Sequence, residues 1–164
     1  MAFRGVAFET IRSGASDVGI RRAEKVLGRG LPHELTEFFR TVNGGECQHD
    51  VLLPDRPQAV CFSWWHSLDE ALAERAQLED SYFRAELPEQ FLPLSIAGGE
   101  NDMLLINLSG GDRGSVLAWV SGRPAGWHRP TKDALLRLAS DLGVLMTAMT
   151  PPSSEAPDTN EFPP

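Results

Sequence analysis

Apolar residues recur every three to four positions through the first third of the chain. Ile20, Ala23 and Leu27 share one helical face, and Ser16-Asp17 just before them are good N-cap residues. Gly28 and Gly30 close that helix, because glycine tolerates the left-handed conformation a helix end often takes. Leu31-Pro32 opens a second helix, since proline lacks only an N–H that the first turn would leave unbonded. Leu35, Phe38, Phe39 and Val42 make an i, i+3, i+4, i+7 stripe, and Asn43-Gly44-Gly45 stops it. Residues 17–43 are therefore predicted as a helical hairpin with its apolar stripes turned to a core.

The period changes after Gly45. Residues 46–58 read as a loop interrupted by Pro54 and Pro57, with a short strand at 51–53. Residues 59–65 are aromatic and β-branched enough for one strand. Ser67-Leu68-Asp69-Glu70 is a capping box, and its helix is predicted to run to about Leu78 and bury Leu68, Leu72 and Ala76. Residues 91–97, 103–108 and 115–120 are predicted strands, the last two forming an antiparallel hairpin around the turn-rich 109–114. Thr131 is predicted to cap one long final helix that buries Leu135, Leu138, Ala139, Leu142, Leu145 and Met149. Residues 1–150 then form a single domain. From 151 to 164 the chain turns to proline, serine and acid with one aromatic, Phe162, and is expected to be a disordered tail.

Composition narrows the class. With 164 residues and 41% hydrophobic content, the chain can bury a core without staples. Its two cysteines, Cys47 and Cys61, suggest no disulfide framework. The first apolar stretch is broken by Arg4, Glu9 and Arg12, which is unlike a signal peptide, and no stretch approaches the ~18 apolar residues of a membrane span. A cytoplasmic location with no membrane partner is expected. A net charge of -8 would repel phosphates, so nucleic acid is excluded as a partner and a basic protein is favoured.

The motifs of catalysis are missing. Gly98-Gly99 and Gly110-Gly111 lack the spacing of phosphate-binding loops, and no GxSxG elbow occurs. Cys47-Gln48-His49 alone approaches a paired ligand spacing, while His33, His66 and His128 are scattered, so neither metal nor cofactor is expected. Glu46, Asp50, Glu100 and Asp102 are the carboxylates most able to share a cleft, but nothing selects an acid–base pair among them. The expectation is a binding protein, not an enzyme. Its contact residues are sought at the sheet rim: Glu46, Asp50 and Asp55 after the helical hairpin, Glu100, Asn101 and Asp102 in one turn, and Asp112 in another. Trp64 and Trp65 are adjacent on a strand and point to opposite faces, so one belongs to the core and the other can anchor a partner.

These elements, in this order, resemble the SUKH superfamily, which includes yeast cell-wall assembly regulators and many bacterial immunity proteins. The resemblance begins with Ile20, Ala23-Glu24, Leu27-Gly28, Leu31-Pro32, Leu35, Phe38-Phe39 and Asn43-Gly44-Gly45. It continues with Leu92-Pro93-Leu94, Ala97-Gly98-Gly99 and Asn101-Asp102, then the strand to Leu108 and Gly114-Ser115-Val116-Leu117-Ala118-Trp119. It covers about residues 15–148 and departs from the pattern at 46–66 and 121–130. The resemblance implies an α+β, SUKH-like fold: a mainly antiparallel sheet with an N-terminal helical hairpin and a C-terminal helix packed against it. It further implies an immunity protein that neutralises a cognate secreted bacterial toxin, an enzyme acting on nucleic acid or another cytoplasmic target, by covering its active site. The alternative is a non-enzymatic regulatory or scaffold protein of the same fold.

Overall fold

The structure, a computed structural model, describes residues 1–10, 12–54, 60–80, 89–97, 102–120 and 135–151, with the side chains of 78–80 left out. The chain opens with a small hairpin of β1 (Ala2–Phe3) and β2 (Val6–Ala7). Arg4 and Gly5 turn it, both at positive φ (49° and 88°). Phe3, Val6 and Phe8 are buried, and their rings and methyls join the main core.

Helix α1 (Asp17–Leu27) is capped by Ser16, whose hydroxyl accepts from the Gly19 N–H at 3.2 Å. Gly28 ends it at φ 66° and gives its own N–H to the last turn. Helix α2 (His33–Thr41) follows Pro32, which sits at the N-cap rather than inside the first turn. Leu35, Phe38 and Phe39 are its buried stripe, as the spacing requires.

The strands come next. They are β3 (Gly45–Glu46), β4 (Asp50–Val51), β5 (Val60–Cys61) and β6 (Trp64–Trp65), followed by helix α3 (Leu68–Asp80). Strands β7 (Phe91–Ile96), β8 (Met103–Asn107), β9 (Val116–Trp119) and β10 (Leu135–Ala139) precede helix α4 (Leu142–Ala148). Six strands form one sheet in the order β10-β9-β8-β7-β6-β3, and every pairing in it is antiparallel. Strands β4 and β5 pair separately, and β4 also bridges to the segment after α4: Asp50 and Thr150 exchange backbone hydrogen bonds of 2.8 and 3.1 Å. The class is α+β.

Four expectations change. The stretch from Leu135 to Met149 is not one helix. Leu135–Ala139 pairs with β9, Ser140-Asp141 breaks the run, and the Asp141 carboxylate caps α4 by accepting from the Val144 N–H at 2.9 Å. A helical stripe and an edge strand can share the same leucines, and pairing partners decide between them. Residues 60–65 make two strands in two sheets, not one. On α3 the buried residues are Leu68 and Ala71, while Ala76 is exposed. Finally, α1 and α2 share the Arg40–Asp17 ion pair (2.7 Å), but α1 lies beside α3, and α2 beside β1 and α4. The expected tail at 152–164 lies outside the described residues, as does the Thr131 cap.

The sheet separates two apolar clusters. Buried residues from each of the described helices join Trp65, Leu92, Leu94, Leu104, Ile106, Val116 and Ala118 in the main core. Phe91, Leu105 and Trp119, with Met103, Leu117 and Leu135 against them, form a smaller cluster of strand residues alone. Alternation explains it: successive strand residues point to opposite faces, and these strands are apolar at both.

Candidate functional site: the outer sheet face and its acidic end

Directly opposed residues on antiparallel strands put their side chains on the same face, about 5 Å apart at Cβ. The registers Glu46↔Trp64, Trp64↔Ile96, Ile96↔Met103, Met103↔Trp119 and Trp119↔Leu135 therefore draw one row across all six strands. Glu9 extends it, bridged antiparallel to Glu46 through backbone hydrogen bonds of 2.8 and 2.9 Å. The row lies on the face away from the helices. It is apolar from Leu135 to Ile96, ends in the exposed indole of Trp64, and finishes with two carboxylates.

Trp64 is 45% exposed, whereas Trp65, one residue on, is wholly buried. The next row inward explains the difference. Trp65 opposes Gly45 and Ser95 on the core face, where its ring meets Phe8 and Phe38 at centroid distances of 5.7 Å. Ser95 holds β6 in place by donating its hydroxyl to the Trp64 carbonyl at 2.7 Å.

A groove of about 520 Å³ opens at the acidic end, lined by Phe8, Glu9, Thr10, Arg12, Glu46 and Trp64 among others. Of its positive charges, Arg12 is engaged elsewhere. Arg12 forks onto the Glu70 carboxylate at 2.6 and 2.7 Å, and the Met1 ammonium donates to the Phe8 carbonyl at 2.8 Å. Glu9 and Glu46 are exposed and, among the described residues, neither is in an ion pair. Gly45 makes this approach possible. At φ 131°, a side chain there would strike the Glu9 carbonyl, so the N-terminal segment lies directly on β3.

The carboxylates expected at the rim do not share one place. Glu46 is in the groove. Asp50 is half-buried on β4 beside Cys61. Burial, then the Asp50 and Glu46 charges, push the Cys61 thiol up, and burial pushes the Cys47 thiol up as well. Protonated thiols are poor nucleophiles and poor metal ligands. Asp112 sits in the β8–β9 turn at the opposite end of the sheet, paired with Arg137 at 3.0 Å. Two expectations are corrected outright. Asp102 is wholly buried behind the Ala97 backbone, whose N–H bonds its carbonyl at 2.9 Å, and Trp65 is core, so neither side chain reaches a partner's surface. Asp55, Glu100 and Asn101 lie outside the described residues. Glu9, Thr10, Ile96 and Met103 were not foreseen; strand register finds them, and the sequence carries no local signal for it.

The family model for the SMI1 / KNR4 family (SUKH-1) matches residues 14–147. No curated protein matches the chain.

Proposed function

The chain belongs to the SMI1 / KNR4 family (SUKH-1), which includes immunity proteins, and from that premise we propose that it binds and neutralises a cognate bacterial toxin. It does so as a stoichiometric inhibitor without catalysis of its own. The toxin is a basic domain that acts on nucleic acid or another cytoplasmic target, and the chain covers its active site. The observation that carries this reading is the outer sheet face: an apolar row with an exposed tryptophan and, at its end, two carboxylates that have no ion-pair partner among the described residues. Tryptophan is enriched at the energetic centres of interfaces, and carboxylates steer a basic partner and set its orientation. Cells expressing a toxin domain found in a neighbouring gene test it. Growth restored by the wild-type chain supports the proposal, and growth arrest despite full expression of the chain refutes it.

A further inference from the structure

The groove at the end of the row has a chemistry more specific than negative charge. Trp64 offers a flat, half-exposed π-face, and its cross-strand neighbour Glu46 stands beside it on the same face. Glu9 follows Glu46 across the bridge, so two carboxylates border one side of the indole. Phe8 and Thr10 line the floor beside them. Arg12 is already paired with Glu70, and the Met1 ammonium, hydrogen-bonded to the neutral Phe8 carbonyl, offsets at most one of the two negative charges.

We infer that this groove receives an arginine side chain of the partner protein, stacked on Trp64 and paired with Glu46 and Glu9; the inference rests on the partner-binding reading above. A guanidinium is planar, weakly hydrated and forked. It lies flat on an indole while its edge N–H groups meet carboxylates, a combination a lysine ammonium does not match. The groove volume, about 520 Å³, admits a long side chain together with the backbone that carries it. The partner's apolar neighbours would then run along Ile96 and Met103, which continue the row and are half-buried.

The test is calorimetric titration of the full chain with capped hexa-arginine, hexalysine and hexacitrulline peptides. Citrulline keeps the shape of the arginine side chain and removes its charge. Hexa-arginine is expected to bind more tightly than hexalysine, and hexacitrulline not at all. W64A and the double variant E9Q/E46Q should each weaken hexa-arginine binding by about tenfold, and W64F should recover most of the loss. These positions are exposed, and circular dichroism confirms that each variant is folded. E89Q removes an exposed carboxylate just before β7, at the end of that strand away from Ile96, and should leave binding within about twofold. Equal weakening by E89Q would reveal diffuse charge attraction and overturn the inference, as would wild-type binding by W64A or equal affinity for hexalysine. The two readings fail separately. A toxin domain bound equally well by wild type, W64A and E9Q/E46Q removes the arginine groove and leaves toxin binding standing. Groove-dependent hexa-arginine binding without any toxin complex does the reverse.

Discussion

The side-chain oxygen of Asn43 accepts a hydrogen bond from the Leu68 backbone N–H at 3.0 Å, so a residue just past the C-cap of α2 also holds the start of α3. The same amide donates to the Ser13 carbonyl at 3.0 Å, and the residue sits at φ 53°. Gly44, next to it at φ 86°, presses so closely on Trp65, His66 and Ser67 that a Cβ there would collide with their backbone. The Asn-Gly-Gly stretch is thus more than helix punctuation. It is the joint where α2, the N-terminal segment and the start of α3 meet.

Replacing Asn43 separates two roles. N43G keeps the positive φ without strain and loses both side-chain hydrogen bonds, which should cost about 1 kcal/mol. N43A loses the bonds and must also hold alanine in the left-handed region, so it should cost more. Urea midpoints measure both. Equal midpoints for the two variants would show that the backbone conformation carries no strain.

Phe38 is wholly buried and meets four rings, those of Phe3, Phe8, Phe39 and Trp65, at 5.5 to 5.7 Å. F38A should destabilise the protein by about 3–5 kcal/mol and L35A by about 2–5 kcal/mol. Denaturant melts of both variants check this, and midpoints unchanged from wild type would mean that the aromatic cluster does not hold the core.

The capping box of α3 gives the protein an acid limit. Burial pushes the Glu70 carboxyl up, but hydrogen bonds from Arg12 and from the Ser67 backbone and hydroxyl outweigh it, and its pKa falls from 4.5 to about 2. The folded value lies below the unfolded one, so this stabilisation is complete above pH 4.5 and is lost as pH falls toward 2. E70Q keeps a capping side chain but no charge. Its urea midpoint should fall less steeply than that of wild type across that window, and parallel slopes would contradict the assignment.

His66 adds a second pH dependence at higher values. Burial lowers its pKa from 6.5, although Glu74 and Glu70 pull the other way, and among the described residues neither ring nitrogen has a hydrogen-bond partner. The folded protein holds the imidazole neutral, so stability is full above 6.5 and declines as pH falls below it. H66N should flatten the stability profile as pH falls below 6.5 relative to wild type, measured by thermal melts. Wild-type stability that rises on acidification through this range would contradict the burial argument.

Much of the architecture was legible in the sequence, and the reasons differ by element. Helices α1 and α2 were readable because a 3.6-residue stripe, an N-cap serine and glycine stops all agree. The Ser67–Glu70 box marked the start of α3, and it closes as expected, with hydrogen bonds of 2.8 and 3.3 Å. Leu135 to Met149 misled because leucines spaced three and four apart suit either a helix or a strand followed by a helix; only pairing with β9 decides. The N-terminal hairpin is too short to show a period. The candidate site was half legible. Adjacent tryptophans had to face opposite ways, which register then resolved in favour of Trp64 as the exposed one. Glu9 was invisible, because it meets Glu46 across a sequence separation that no local pattern encodes.

The central claim is tested most directly by identifying the proposed toxin partner, starting from any toxin domain that a neighbouring gene encodes, and titrating this chain into it while toxin activity and heat of binding are followed at low and high salt. The account predicts a one-to-one complex that silences the toxin, with affinity that falls as salt rises because exposed carboxylates assist association. A toxin that remains fully active in the presence of excess chain would contradict it.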